Sequence, residues 1–273
     1  MMLDIMANND WKRPIYFSGG SLDSAEYIWM KEYLQLDGLA YKLVPIRTQN
    51  RSTFEMGRID SDLMYDIVTQ WDWGNSGSPD IYHDPQTRTQ GLSFRSNLAR
   101  LVETLIRENK IDKAKDIIDL AMTHLPVDFY GFYTFVEPFV DGYYKVGETT
   151  KARELYGQLK GIYEDRLDYY AGVPLDEQYA KIEDILSDME AYRRCIDILI
   201  ENNDKELAEK ETLIFNEQID RFTQFYQNDL LDEEALPEAP GTDLIDTMPV
   251  SDTTAVDNTT TGVLEDTIPL PQE

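Results

Sequence analysis

The spacing of apolar residues changes near residue 94 and divides the chain into two unlike parts. Up to residue 93, short β-rich runs alternate with short helical patterns. The runs at 13–18 and 39–46 are rich in aromatic and β-branched residues, which predicts two strands. Helical spacing predicts three short helices, at 3–7, 21–33 and 60–71. We therefore predict a small α/β unit over residues 1–93.

From Phe94 onward the apolar residues recur every three or four positions, as on the buried face of a helix. This period predicts a series of antiparallel helices up to residue 228. After a first helix that begins near Phe94, further helices are predicted at 111–126, 132–146, 149–170, 174–200 and 205–226. We expect the last two to form an antiparallel hairpin that caps the array.

Three turns between predicted helices are each followed by a helix with an early alanine. They lie at 109–114, 147–152 and 203–208, and the first two are 38 residues apart. A small residue at this point lets paired helices approach closely, as in tetratricopeptide repeats, although the period exceeds their usual ~34 residues. The expected fold class is α+β and mainly α: a small α/β unit, then a tetratricopeptide-like array over 94–228, then a tail.

The chain is strongly acidic, with a formal net charge of −27 over 273 residues. Nucleic acid and anionic membrane surfaces need basic binding surfaces, so neither is an expected partner. Residues 229–273 contain twelve Asp and Glu and no Lys or Arg. Because such a segment buries too little apolar surface to offset its ordering entropy, we predict a disordered acidic tail.

Membrane and redox features are sparse in this sequence. No run approaches the ~20 apolar residues of a membrane-spanning helix, so we expect no direct membrane insertion by this chain. The first ten residues lack the basic segment and cleavage site of a signal peptide. The single cysteine, Cys195, excludes an internal disulfide, and its helical surroundings predict a buried structural thiol rather than a nucleophile.

Residues 71–88 are the clearest candidate for binding. Two tryptophans, a Gly-Asn-Ser-Gly-Ser-Pro turn cluster and an Ile-Tyr-His-Asp-Pro run predict an aromatic loop that either packs against the protein or contacts a ligand. The candidate binding residues in this loop are Trp71, Trp73, Asn75, Tyr82 and His83.

A second dense aromatic stretch spans residues 129–144. Most of these rings are expected in the helix core. The alternative is a concave face that binds peptide or sugar, for which Tyr133 and Tyr143 are the candidates, because tyrosine combines apolar area with a polar tip.

Other candidate sites have structural interpretations that we favour. Asp80, His83 and Asp84 could bind a metal or serve a hydrolase from one loop, but Pro-Asp and His-Asp-Pro also form turns and caps. Residues 19–21, Gly-Gly-Ser between a strand and a helix, could bind phosphate but lack the glycine patterns of nucleotide loops. We therefore expect no catalytic residue, no metal and no cofactor in this chain.

The cationic residues near the aromatic loop are also expected to be structural. Arg58, Arg88 and Arg95 flank the loop and should be its internal salt-bridge partners rather than an anion site. His124 lies at a predicted helix end, where a partial positive charge is favourable.

Three segments carry a family resemblance. They read Asp-Trp-Lys-Arg-Pro-Ile-Tyr-Phe at 10–17, Tyr-Leu-Gln-Leu-Asp-Gly-Leu-Ala-Tyr-Lys-Leu-Val-Pro-Ile at 33–46, and Trp-Gly-Asn at 73–75 followed by Ile-Tyr-His-Asp at 81–84. In this order they resemble the C-terminal soluble region of a bacterial family of multi-spanning membrane proteins. That family is protein O-mannosyltransferase-like and belongs to the glycosyltransferase C superfold. The resemblance covers residues 1–228.

The resemblance implies a non-catalytic role. In such proteins the membrane spans and the first extracytoplasmic loop carry the catalytic acids and the site for the lipid-linked sugar, and no such residue transfers to this chain. The resemblance places the chain on the periplasmic side of the cytoplasmic membrane, as the tail of a longer transferase. There it would position acceptor polypeptide or brace the membrane part, so its partner is the membrane-embedded part of the same protein or the acceptor.

A different class of function is the alternative. A free-standing helical-repeat scaffold, unrelated to glycosylation, would bind a protein partner on its concave face and would start at Met1 or Met2.

Overall fold

The computed structural model describes residues 2–18, 28–48, 56–223 and 225. Within these ranges, the N-terminal part contains two helices, a 3₁₀ helix and three strands. In chain order they are α1 (Met2–Asn9), β1 (Tyr16–Ser18), the 3₁₀ helix (Ile28–Tyr33), β2 (Leu34–Asp37), β3 (Ala40–Leu43) and α2 (Ser61–Val68). The two predicted strands and the helices predicted at 3–7 and 60–71 are confirmed, with shifted ends.

The three strands form an antiparallel sheet in the order β1-β3-β2. β2 and β3 form a hairpin in which Leu34 lies opposite Leu43 and Asp37 opposite Ala40. Gly38 in the turn has a φ of 73°, a left-handed conformation that glycine adopts without steric cost. The hairpin places Leu39 at the tip of the sheet.

The sequence did not predict β2. All four of its residues are buried, so the strand lacks the alternation of apolar and polar residues that marks a half-buried strand. Leu34 also continued the apparent helical spacing of Tyr27 and Met30. The helix predicted over 21–33 is wrong where it can be compared, because 28–33 form a 3₁₀ helix. Residues 19–27, with the Gly-Gly-Ser segment, lie outside the described residues.

The sheet is attached to the first long helix, α3 (Pro85–Arg107), by two polar side chains. Asn97 Nδ2 donates to the carbonyl of Gly38 at 2.9 Å. Arg100 donates to the carbonyls of Met56 and Gly57 at 2.9 and 3.0 Å. Both side chains donate to backbone oxygens in irregular segments.

From α3 onward the described chain is mostly helical. After α3 come α4 (Ile111–His124), α5 (Val127–Tyr130), a 3₁₀ turn (Tyr133–Phe135), α6 (Glu137–Lys145), α7 (Thr149–Gly172), α8 (Leu175–Ala180), α9 (Ile182–Glu201) and α10 (Lys205–Asp220). α3 packs on α4 and α6, α6 on α7 and α9, and α9 on α7 and α10. The predicted fold class, a small α/β part followed by a helical array, is confirmed.

The three predicted turns have the same backbone geometry. Asn109, Gly147 and Asn203 all have positive φ, at 59°, 83° and 59°. In each turn the next residue donates its backbone N–H to the carbonyl five positions before it, at 2.8–2.9 Å. The alanine five residues after each left-handed residue is buried. The three helical pairs α3–α4, α6–α7 and α9–α10 are therefore structural repeats.

Repeated ion pairs join successive helical pairs. Lys115, which follows the alanine of the first pair, binds Glu148 in the turn of the second. Arg153, at the same position of the second pair, binds Asp204 in the turn of the third, with Nε and Nη2 both at 2.7 Å from its carboxylate. Tyr144 also donates to Asp204, at 2.7 Å. The same contact thus recurs at both junctions of the array.

The predicted helix 132–146 begins only at Glu137, after the 3₁₀ turn, and two further predicted helices in the array also have wrong bounds. α3 begins at Pro85 rather than near Phe94, because Asp84 caps it by accepting from the backbone N–H groups of Gln86 and Thr87. The predicted helix 174–200 is two helices, α8 and α9, divided at Lys181.

The remaining predictions on the fold concern the cysteine, the tail, the domain boundaries and membrane spans. The buried thiol is confirmed, since Cys195 has no exposed surface. The predicted tail, 229–273, lies outside the described residues, and the boundaries at 93/94 and 228/229 remain predictions. Among the helices the structure describes, none is both long and apolar enough to cross a membrane.

We predict that Asp204→Ala destabilises the array by about 1–3 kcal/mol, since it leaves two hydrogen-bonding groups without their buried acceptor. The side chain of Asp204 is only 5% exposed. Chemical denaturation followed by circular dichroism measures the change in the free energy of unfolding.

Glu148→Ala is the matched control, because it breaks the equivalent ion pair at a more exposed junction, where Glu148 is 31% exposed. Solvent screens exposed pairs, so this variant should lose at most half as much stability. Equal losses of unfolding free energy in the two variants would show that burial of the acid does not strengthen the ion pair.

Candidate functional site

The two tryptophans of the aromatic loop pack on the array. The ring centroids of Trp71, Trp73 and Phe94 lie 5.4–5.5 Å from one another. Trp73 is also stacked on His124 at the end of α4, with centroids 5.0 Å apart and planes 6° from parallel. Aromatic pairs at these distances contribute about 0.5–1.5 kcal/mol each beyond their buried area. The tryptophans therefore pack on the middle of α3 and on the end of α4.

Backbone contacts fix the middle of the loop. Gly77 lies so close to α4 that an added Cβ would be 2.2 Å from the carbonyl oxygen of Thr123. The hydroxyl of Tyr130 donates to the carbonyl of Ser76 at 3.1 Å. Asp72 accepts from the N–H of Gly74 at 3.0 Å and closes the turn that follows Trp73. Contacts with the last turn of α4 and with the last residue of α5 thus position the loop.

A cavity of about 380 Å³ opens beside the tryptophans. Leu39, Trp71, Trp73, Phe94 and Tyr130 form its apolar walls, and its polar lining is Asp72, Ser76, Thr87 and Gln90. Two buried polar atoms here, Trp73 Nε1 and Ser76 Oγ, have no hydrogen-bond partner among the described residues. Flat aromatic walls with a few convergent polar groups are suited to a peptide or sugar.

His83 is a buried support for this region. Its side chain is 8% exposed, and its Nε2 lies 3.2 Å from the carbonyl of Ser78. The ring is stacked on Phe129 at 5.3 Å and tilted against Tyr130 at 5.2 Å. Since His83 packs behind Tyr130, the structure places it in a supporting position.

The proposed metal ligands have separate local partners. Asp84 accepts from Thr87 Oγ1 at 2.6 Å, and this hydrogen bond holds the pKa of Asp84 below its ordinary value. The backbone N–H of Asp80 donates to Ser78 Oγ at 3.2 Å. Across the described ranges, no group of three His, Cys, Asp or Glu residues is arranged to hold a metal ion. The carboxylate of Asp84 acts as a helix cap.

The expected salt bridges around the loop are wrong for the described residues. Arg58 donates to the amide oxygen of Gln35 at 2.7 Å. Arg95 donates to the carbonyls of Leu125, Pro126 and Gly131 at 2.5–2.9 Å. No carboxylate of the described chain pairs with Arg58, Arg88 or Arg95. Burial lowers the pKa of Arg95 to about 10.

The remaining predicted site residues are dispersed. Tyr82 is 82% exposed and Asn75 is exposed, so neither lines the cavity.

The two tyrosine candidates of the second aromatic stretch lie elsewhere. Tyr133 lies in the 3₁₀ turn, edge-on to Tyr163 at 6.3 Å. Tyr143 donates to Asp119 at 2.8 Å, with Lys151 Nζ 5.5 Å from its ring centroid. Burial raises the pKa of Tyr143. Of the seven candidates, only Trp71 and Trp73 share this cavity.

The sequence analysis missed Phe94, Gly91 and Tyr130 as parts of the site. Gly91 is a glycine in the middle of a helix, which costs stability and often has a packing reason. A Cβ at Gly91 would lie 2.4 Å from Cδ1 of Tyr130, so the missing side chain lets the ring rest on α3. The mid-helix glycine was the available signal.

His124 has the opposite charge preference from that expected at a helix end. Burial lowers the pKa of His124, since the stack on Trp73 removes part of the ring from water. Desolvation therefore outweighs the favourable field of the α4 C-terminus.

The N-terminal part of the chain matches a known family model. Residues 1–63 match the model for TMEM260-associated domain 2, a family linked to protein O-mannosyltransferase-like membrane proteins. The match includes the segments 10–17 and 33–46, two of the three that carry the family resemblance. This part of the chain is similar to a domain associated with a membrane protein. No curated protein and no solved structure matches the chain.

We predict that Gly91→Ala destabilises the protein by about 1–3 kcal/mol, because the added Cβ overlaps the Tyr130 ring and overpacks the site. Thermal unfolding and the near-ultraviolet circular dichroism of the aromatic cluster measure the effect.

The control for this substitution is Gly157→Ala in α7, where an added Cβ meets no atom within 4 Å. Alanine is the better helix former by about 0.5–1 kcal/mol, so this variant should be stabilised. Destabilisation by both substitutions would show that contact with Tyr130 is not the cause.

We predict that the fold loses stability as pH falls through about 6.5, the ordinary pKa of histidine, because the unfolded state then takes up a proton that folded His124 resists. His124→Phe retains a stacking ring without a titrating group. Its melting temperature should therefore fall less than that of the unmodified protein over this pH range. His83 is present in both proteins, so its contribution cancels; identical pH dependence would contradict the prediction.

Proposed function

We propose that this chain is a non-catalytic, periplasm-facing domain of a protein O-mannosyltransferase-like membrane protein of the glycosyltransferase C type, and that it positions acceptor polypeptide beside the transferase site. The observation that carries the proposal is the match of residues 1–63 to a domain associated with such membrane proteins. The resemblance of the segments at 73–75 and 81–84 to the same kind of protein extends it to the aromatic loop.

The cavity beside Trp71 and Trp73 supports a role in acceptor positioning. Leu39, which lies within the matched residues, forms part of its wall together with the tryptophans. The matched segment and the aromatic loop therefore build one surface.

The chemistry of the cavity is suited to an extended polypeptide. An apolar or aromatic side chain of the acceptor can pack against the rings of Trp71 and Phe94 where they line the cavity. Trp73 Nε1 is a donor without a partner among the described residues, so it can bind a backbone carbonyl of the acceptor. Ser76 Oγ can accept from a backbone N–H. Recognition of backbone groups would accept many sequences, as a transferase with varied acceptors requires.

We predict that replacing both Trp71 and Trp73 with Ala in the full-length membrane protein raises the KM for an acceptor peptide by about tenfold, as expected for loss of aromatic anchors worth roughly 1.4 kcal/mol. The rate at saturating peptide should change little, because the cavity does not contain the catalytic acids. Transfer by spheroplasts to externally added peptide is the measurement, and it requires an outward-facing site.

Two further variants sharpen this experiment. Trp73→Phe keeps a ring and removes only the Nε1 donor, so it should raise KM by a smaller factor. Trp11→Ala removes an exposed tryptophan that does not line the cavity and should leave KM unchanged.

The contrary outcomes are distinct. An unchanged KM with the fold intact would overturn acceptor positioning. A loss of rate for all peptides, with dissociation of the domain from the membrane part, would assign it a bracing role. Transfer by inverted vesicles alone would overturn the periplasmic orientation.

A further inference from the structure

A second cavity shares Tyr130 with the first. It has a volume of about 470 Å³ and lies between the first turns of α3, the connection from α5 to α6, and the helices α7 and α9. Tyr130 lines both cavities, but the tryptophans line only the first. The residues that matter to its chemistry are Arg88, Tyr133, Tyr163, Arg166 and Asp188.

Two polar groups in the walls of this cavity have no partner among the described residues. Tyr163 is 1% exposed, and its hydroxyl forms no hydrogen bond there. Arg88 forms no ion pair with any described residue, and its Nε is buried without an acceptor. Buried polar groups are nearly always hydrogen-bonded, so two unpartnered donors in one cavity indicate a missing acceptor.

The charged residues of the cavity favour an anion. Arg166 Nε is 2.6 Å from Asp188 Oδ2, and this pair neutralises the only carboxylate among the described residues of the lining. Arg88 then leaves a net positive charge. A third guanidinium, that of Arg95, donates to the carbonyl of Gly131, which lines the cavity. This local charge is opposite to the net charge of −27 of the whole chain.

The rim of the cavity is aromatic and conformationally strained. Phe132 has a φ of 48°, a left-handed conformation that is costly for a bulky residue. Its side chain is 44% exposed, although it lies in a strongly apolar segment. The rings of Tyr133 and Tyr163 meet edge-on at 6.3 Å. Strained residues of this kind persist where the surrounding structure holds them and are concentrated at functional sites.

We propose that this cavity binds a ligand that carries an oxyanion, a carboxylate or a phosphate, on a ring-bearing body. The oxyanion accepts hydrogen bonds from Arg88 and from the hydroxyl of Tyr163, and the body lies against Tyr130, Phe132 and Tyr133. The cavity is within the size range of small-molecule sites. This site is separate from the tryptophan cavity and does not depend on the proposed function.

The test is calorimetric titration of the full chain with three probes. N-acetylphenylalanine carries a ring and a carboxylate, its amide carries the ring without the charge, and inorganic phosphate carries the charge alone. The free acid should bind at least tenfold more tightly than the amide. Phosphate binding more tightly than the acid would assign the oxyanion to a phosphate; equal binding of acid and amide, or no binding of any probe, would overturn the proposal.

Variants separate a binding role from a structural one. Arg88→Gln should weaken binding of the free acid at least tenfold. Tyr163→Phe should weaken it several-fold while leaving the melting temperature unchanged or higher, since the substitution removes a buried hydroxyl without a partner. Arg107→Ala removes the same charge from the same helix outside the cavity and should change affinity less than twofold. Undiminished binding by Arg88→Gln or Tyr163→Phe would overturn the proposal.

Discussion

The guanidinium of Arg95 binds the backbone on both sides of α5. It is 1% exposed and donates to the carbonyls of Leu125, Pro126 and Gly131. These carbonyls lie at or beside the two ends of α5, and the guanidinium supplies a donor to each of them. By fixing the backbone on both sides of α5, Arg95 positions Tyr130 at the end of that helix. The Cζ atom of Arg95 lies 5.7 Å from the centroid of the Tyr130 ring. Both cavities depend on this ring, so both depend on a buried cation with no carboxylate partner among the described residues.

The helical array rests on a different kind of polar contact. Each junction between helical pairs has a cation just after the buried alanine and an acid just after the left-handed turn residue. Since the helices satisfy their own carbonyls, the cations of the array meet side-chain carboxylates instead. The burial of the acid differs between the junctions, from 31% exposed for Glu148 to 5% for Asp204. The geometry of the contact repeats, but breaking it should cost more stability at the junction with the third pair, where the acid is buried.

The parts of the fold that follow from a regular period were predictable from the sequence. The helical array and its three equivalent turns were predicted because apolar spacing, an Asn or Gly at the turn and an alanine five residues later recur together in the sequence. β2 was missed because a fully buried strand of four residues has no alternation. The start of α3 was missed because Asp84 and Pro85 were assigned to the aromatic loop, although they also fit a helix cap followed by proline.

The site was only partly predictable, because its contacts join residues far apart in the chain. The composition of the loop identified Trp71 and Trp73, but nothing local indicated that Phe94, His124 and Tyr130 would surround them. From its position at a helix end, His124 was expected to favour a positive charge. Burial against Trp73 instead lowers its pKa and favours the neutral ring.

The arginines near the aromatic loop were assigned to salt bridges by a charge argument that fails for a physical reason. The chain has 52 acidic and 25 basic residues, so a carboxylate partner is the simple expectation for any cation. Irregular segments, however, expose carbonyl groups that need donors, and a guanidinium offers five N–H groups in a planar fork. Arg95 and Arg100 accordingly bind backbone carbonyls, and Arg58 binds an amide oxygen. Arg88 differs from these three because its guanidinium has no acceptor within the described chain, whereas Arg95, whose Nε is also unpartnered, donates through its other two nitrogens. Its neighbours in the cavity are a neutralised ion pair and a phenol that also lacks a partner. The unmet requirement at Arg88 is therefore for an acceptor, and the charge of the guanidinium favours an anionic one.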